Sequence, residues 1–143
     1  MDKSVAIIGG GPAGLMAAEV IRAQGPQVDV YDSMPSLGRK FLMAGKSGLN
    51  LTHSEPFESF VSRYGERRAQ IEPMLKEFGP EELRDWAHGL GVETSVGTSR
   101  RVFPVGMKAS PLLRAWPTPP VLSHLRSEIQ PARPEARAGP AAQ

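Results

Sequence analysis

Three glycines and one carboxylate near the amino end carry the most chemical meaning in this chain. Gly9, Gly11 and Gly14 stand directly behind the apolar run Val5-Ala6-Ile7-Ile8, and Asp32 follows further on. A G-x-G-x-x-G spacing between a strand and a helix, with an acidic residue about 20 positions later, is the pattern of a dinucleotide-binding turn. Each residue type has its reason. Glycine at 9 lets the chain turn sharply off the strand, at 11 it leaves room for a pyrophosphate, and at 14 it lets the helix lie close to the strand. A helix opening at Pro12 and Ala13 aims unpaired N–H groups and its positive dipole end at the phosphates. Pro12 costs that helix nothing, because its missing N–H would have had no partner. Asp32 suits the ribose hydroxyls, and its charge disfavours a 2′-phosphate, which favours FAD or NAD over NADP here.

The flanking elements agree with this reading. Leu15, Ala18 and Ile21 recur at helical spacing, and Gly25-Pro26 stops the helix. Gln27 to Asp32 alternates polar and apolar residues as a strand does. The result is a βαβ unit, and so an α/β chain of Rossmann-like class. After Asp32 a turn-rich stretch leads to an extended loop as far as His53, with a short helix near Phe41. Ser54 reads as the N-cap of a helix whose stripe is Phe57, Phe60, Val61 and Tyr64. A charged helix turns Ile71, Met74, Leu75 and Phe78 inward. Another opens at Pro80 and buries Leu83, Trp86, Ala87 and Leu90. Strands Val92–Val96 and Arg101–Val105 pair across a Gly97 turn, and Ser110-Pro111 caps a last helix, Leu112 to Trp116. These helices form an insertion following the βαβ unit.

Composition bounds the rest. The chain has 143 residues, a net charge of +2 and no cysteine, with a pI near 9.2. That excludes a disulfide framework, a thiolate metal site and a cysteine nucleophile; no metal site is expected. Basic residues are scattered among acidic ones, whereas a nucleic-acid binder would gather them into a face with interleaved aromatics. The apolar run behind Met-Asp-Lys is too short for a signal peptide or a membrane span, which points to a cytoplasmic protein acting on a small molecule. No residue is singled out as catalytic. His53 has no partner at recognisable spacing, His88 sits at a helix end, and Trp86 and Trp116 fall on core stripes.

Residues 1–116 therefore read as one domain. Residues 117–143 contain six prolines, five alanines and three arginines, a composition expected to be disordered.

Three blocks resemble the bacterial FAD-dependent flavoproteins of the BaiN/YhiN type, known broadly as NAD(P)/FAD-dependent oxidoreductases. They are Val5 to Leu15, Gly38-Arg39-Lys40-Phe41-Leu42 through Gly45 to Thr52, and Arg101-Val102-Phe103-Pro104 followed by Lys108-Ala109. Gly48-Leu49 stands where many members have an Arg-Cys pair. The resemblance covers about residues 1–116 and implies that they are the N-terminal part of an FAD/NAD(P)-binding domain. It implies Gly9, Gly11 and Gly14 on the FAD pyrophosphate and Asp32 on its ribose. It lays Arg39, Lys40 and the Gly45–Asn50 loop along the phosphates and toward the flavin. Arg39 and Lys40 are cations suited to phosphate, though solvated loop residues would look the same. Asn50 equally suits a side-chain cap of the following turn. In the complete family protein the flavin passes a hydride between a nicotinamide and an organic substrate. Family members run to several hundred residues, so residues 117–143 are expected to be a truncated or frame-shifted reading, or else a linker. The fragment alone is expected to retain FAD weakly or not at all. A non-catalytic nucleotide-binding module is the alternative.

Overall fold

A computed structural model of the chain describes residues 4–34, 36–44 and 47–116. Gly45 and the 117–143 segment lie outside the described residues. Strand β1 (Ser4–Ile8), helix α1 (Pro12–Ala23) and strand β2 (Gln27–Tyr31) come first. Short helix α2 (Arg39–Ala44), strand β3 (Thr52–His53) and helix α3 (Phe57–Ser62) follow. A 3-10 turn (Gly65–Arg67) leads into α4 (Arg68–Glu77), then α5 (Pro80–Gly89), β4 (Thr94–Val96), β5 (Arg101–Pro104) and α6 (Ala109–Ala115).

The expected βαβ unit is present. β1 and β2 pair in parallel with Val5 opposite Val28 and Ile7 opposite Val30. Alternation along β2 buries Val28 and Val30 against Ala18 of α1, with Ile7, Ile21 and Leu37 around them. Each such valine contributes on the order of 1.5 kcal/mol or more of burial free energy. Gly11 is the N-cap of α1 and Pro12 opens it.

The second sheet has the order β3-β5-β4 and is antiparallel throughout. The β4–β5 hairpin matches the expected strand pair, with Thr94 opposite Pro104 and Val96 opposite Val102. Val92 stands outside β4. It is buried, and its N–H donates to Ala87 O at 3.0 Å while Gly91 N–H donates to His88 O at 2.8 Å, closing the end of α5. β3 was expected to be loop. Two residues are too few to show an alternation, and pairing with β5 creates the strand: Leu51 N–H reaches Val102 O at 2.9 Å.

Three other expectations need correction. Ser54 caps no helix; Pro56 is the N-cap of α3, and the Ser54 N–H and hydroxyl both donate to Arg100 O. α6 starts at Ala109 behind Lys108, so Ser110 and Pro111 lie inside its first turn. Met74 of α4 and Phe78, its C-cap, point outward, at 65% and 41% exposure. That helix contacts the body mainly through α3, and a periodic stripe cannot say how wide its covering neighbour is. Ion pairs brace it instead: Glu72 joins Arg68 at 2.9 Å and Lys76 at 2.8 Å.

The larger core cluster gathers Phe41, Leu49, Ala87, Val92, Ala109 and Leu112, with Trp86 and Leu113 packed against it. Among the described residues, no helix is long and apolar enough to cross a membrane.

Leu112 is fully buried, so Leu112→Ala should cost about 3 kcal/mol of unfolding free energy in urea titration. Met74→Ala should stay within about 0.5 kcal/mol, as an exposed position does.

Candidate functional site

The backbone turn between β1 and α1 is built by what its glycines lack. Gly9 has φ 109°, in the left-handed region that side chains disfavour, and its N–H donates to Tyr31 O at 2.7 Å. A Cβ on Gly14 would run into the carbonyl of Gly9 and sit 3.3 Å from Ile7 Cγ2. α1 therefore crosses β1 at a distance only glycine permits. Gly11 differs from both. Its φ of −80° suits any residue, and a Cβ there would meet nothing within 4 Å. The space beside Gly11 is open to the groove above it.

Gly10 links the turn to the next strand. Its N–H donates to Asp32 Oδ2 at 2.6 Å, and Asp32 Oδ1 accepts from Met34 N–H at 2.7 Å. A Cβ on Gly10 would collide with Leu37 and crowd the Asp32 carboxylate. Gly10 O in turn accepts from Gly38 N–H at 2.8 Å. The turn, the end of β2 and the start of α2 are thus joined through one residue.

Above this junction lies an open groove of about 790 Å³. Gly9, Gly11, Pro12, Ala13 and Gly14 form one wall, and Asp32, Arg39 and Lys40 border it. Ile8, Tyr31 and Met34 add apolar surface, with Ile8 81% exposed. Eight of the ten residues singled out in the sequence meet here. Asn50 does not line the groove. It is exposed, between Leu49 and Leu51, whose N–H groups donate to Met107 O and Val102 O. Gly45 lies outside the described residues.

Chemically, the groove offers an N-terminal helix end with unpaired N–H groups, a carboxylate and two cations. This suits an anionic bridge flanked by hydroxyl-bearing groups. Gly10 was assigned no role in the sequence, yet its N–H fixes the carboxylate. The pattern x at that motif position hid it, because the demand for glycine comes from Leu37 and Asp32 in space.

A second cluster also escaped the sequence. His53 Nδ1 lies 3.5 Å from Glu55 Oε1, and Glu55 receives Arg63 Nη2 at 2.7 Å. The hydrogen bond from Arg63 holds the Glu55 carboxyl below its ordinary range. None of the three borders the groove. His88 Nε2 lies 2.9 Å from Thr94 Oγ1, joining α5 to β4. Among the described residues, no group of three or more His, Asp or Glu could hold a metal ion.

Residues 3–130 match the family described as HI0933-like protein Rossmann domain. The chain belongs to this family. The match runs past Trp116, where the residue-level resemblance stopped. The HI0933-like chain is 55% identical over 38 residues to a putative oxidoreductase, AegA, of Escherichia coli K12, covering 27% of this chain and 6% of that protein. It is 49% identical over 54 residues to the glutamate synthase (NADPH) small chain of Azospirillum brasilense, covering 38% and 11%. It is 29% identical over 110 residues to the carotenoid phi-ring synthase of Streptomyces griseus, covering 71% and 21%. The chain thus spans about a fifth or less of the length of these relatives.

Gly14→Ala should destabilise the protein by about 3 kcal/mol through overpacking, whereas Gly11→Ala should cost less than about 1 kcal/mol, as a capping change does. Thermal and urea unfolding of the two variants read the difference directly. Asp32→Ala should cost about 2 kcal/mol in ligand-free protein, because the buried Gly10 N–H loses its acceptor. An Asp32 serving only a ligand would leave ligand-free stability unchanged.

Proposed function

We propose that this HI0933-like chain is the dinucleotide-binding part of an FAD- and nicotinamide-dependent oxidoreductase of the BaiN/YhiN type. The observation that carries the reading is the groove itself. An open backbone at Gly11, the first turn of α1, one carboxylate and two cations border one cavity. That donor set fits the adenosine diphosphate part of FAD. The relatives' names agree, since one is an oxidoreductase and another carries NADPH in its name.

In this reading the backbone from Gly9 to Gly14, with Pro12 and Ala13 opening α1, holds the pyrophosphate. Asp32 already accepts two backbone N–H groups, and a carboxylate has about four lone-pair sites, so acceptor capacity remains for a ribose hydroxyl. Arg39 and Lys40 add positive charge at the groove rim. Gly45 and Asn50 belong to the loop that the resemblance directs toward the flavin. The bound flavin supplies the hydride chemistry between a nicotinamide and an organic substrate.

Titration of the purified chain with FAD should show saturable binding that ADP displaces. Gly11→Val should weaken it at least about tenfold without unfolding the protein, because its side chain enters the open space. Arg39→Ala with Lys40→Ala should weaken binding several-fold and flatten its dependence on salt. Absence of binding to FAD, NAD and ADP at millimolar concentration overturns the reading. NADH oxidation by the flavin-loaded chain distinguishes an enzyme from a non-catalytic nucleotide-binding module.

A further inference from the structure

Glu19 lies about two turns along α1 from Pro12. Its carboxylate is the meeting point of two tryptophans far apart in sequence. Trp116 Nε1–H donates to Glu19 Oε2 at 2.7 Å, and Trp86 Nε1–H donates to the two oxygens at 3.2 and 3.3 Å. The indoles meet edge-on, with ring centroids 4.6 Å apart, and Trp116 meets Phe41 edge-on at 6.0 Å. Trp116 is 4% exposed.

Phe41 follows Arg39 and Lys40 on α2. One carboxylate on α1 therefore holds α5 and the end of α6 directly, and α2 through Trp116. The other end of α2 is also fixed. Gly38 N–H donates to Gly10 O, and a Cβ on Gly38 would collide with Leu113 of α6.

We infer that Glu19 is a positioning residue for the groove: it sets α1, whose N-terminus faces the cavity, against α2, which carries Arg39 and Lys40 to its rim. The effect on ligand rests on the nucleotide-binding reading above; the clamp itself does not. The residue type is specific. A carboxylate is acceptor-only, so it can meet both indole N–H groups, and buried indole N–H groups need a partner. Glutamine has no charge and only one acceptor oxygen; with that oxygen on Trp116, its N–H2 stands in the place of Oε1, facing the Trp86 N–H at 3.2 Å, and Trp86 keeps only the longer 3.3 Å contact.

The test is amide hydrogen exchange across the full chain, read by mass spectrometry, together with FAD titration. In Glu19→Gln, exchange over residues 36–44 should accelerate about tenfold, while α3 and α4 stay within about twofold of the parent. The FAD dissociation constant should rise about tenfold in the same variant. Trp116→Phe keeps the aromatic edge and removes one donor. Because Glu19 reaches α2 through Trp116, Trp116→Phe should by itself accelerate exchange over 36–44 about as much as Glu19→Gln, and the double variant should stay within about threefold of Trp116→Phe. Unchanged exchange over 36–44, equal acceleration in α3 and α4, or additive acceleration in the double variant overturns the inference. If Glu19→Gln fails to fold, the comparison of Trp116→Phe with the double variant decides it. A parent chain that binds no FAD sinks the nucleotide reading, and the exchange arm still decides the clamp.

Discussion

The hydrogen bond from Gly10 N–H to the Asp32 carboxylate is the constraint on which the groove depends. It joins the first turn of the chain to the end of the second strand across 22 residues. Gly10 O carries the connection on to Gly38. Without these bonds the wall made by the glycines and the rim made by Arg39 and Lys40 would be set independently. With them, the cavity has a shape before any ligand arrives, and a preorganised site spends less binding energy on ordering itself.

The βαβ unit was legible in the sequence because several independent signals coincided there. Glycine spacing, apolar runs, a Pro-capped helix and a terminal carboxylate all demanded the same local geometry, and agreement between levels of that kind marks a strongly specified segment. The β4–β5 hairpin and the short helix at Phe41 were legible for similar local reasons. β3 was not, since its existence depends on a partner 50 residues away and its own two residues carry no period. The outward face of α4 was also hidden. Ile71, Met74, Leu75 and Phe78 repeat as a buried stripe would, but the covering surface is only as wide as α3 allows.

The site shows the same division. Six of the eight residues that converge belong to the motif itself, and Arg39 and Lys40 join them on α2, which the Gly38–Gly10 hydrogen bond ties to the turn. Asn50 was placed by resemblance, and its neighbours bond to Met107 O (Leu49) and to Val102 O of β5 (Leu51), which leaves it off the groove lining. Gly10 and Glu19 were passed over because their roles are tertiary. A glycine required by a leucine 27 positions away leaves no trace in spacing, and a glutamate shared by two indoles looks like any polar helix residue. His53 likewise gains its carboxylate neighbour from two residues along, through a bend that periodicity does not describe.

The chain has two tryptophans, and both sit in one aromatic knot between the α1 side and the second sheet. Its indole emission therefore issues from a single locus at the seam of the two sheets. The rings stand edge-on with centroids 4.6 Å apart, and no third indole reports from elsewhere in the chain. Changes in the indole band speak for that seam, while α3 and α4 carry no indole and are reported only by Tyr64 beside them.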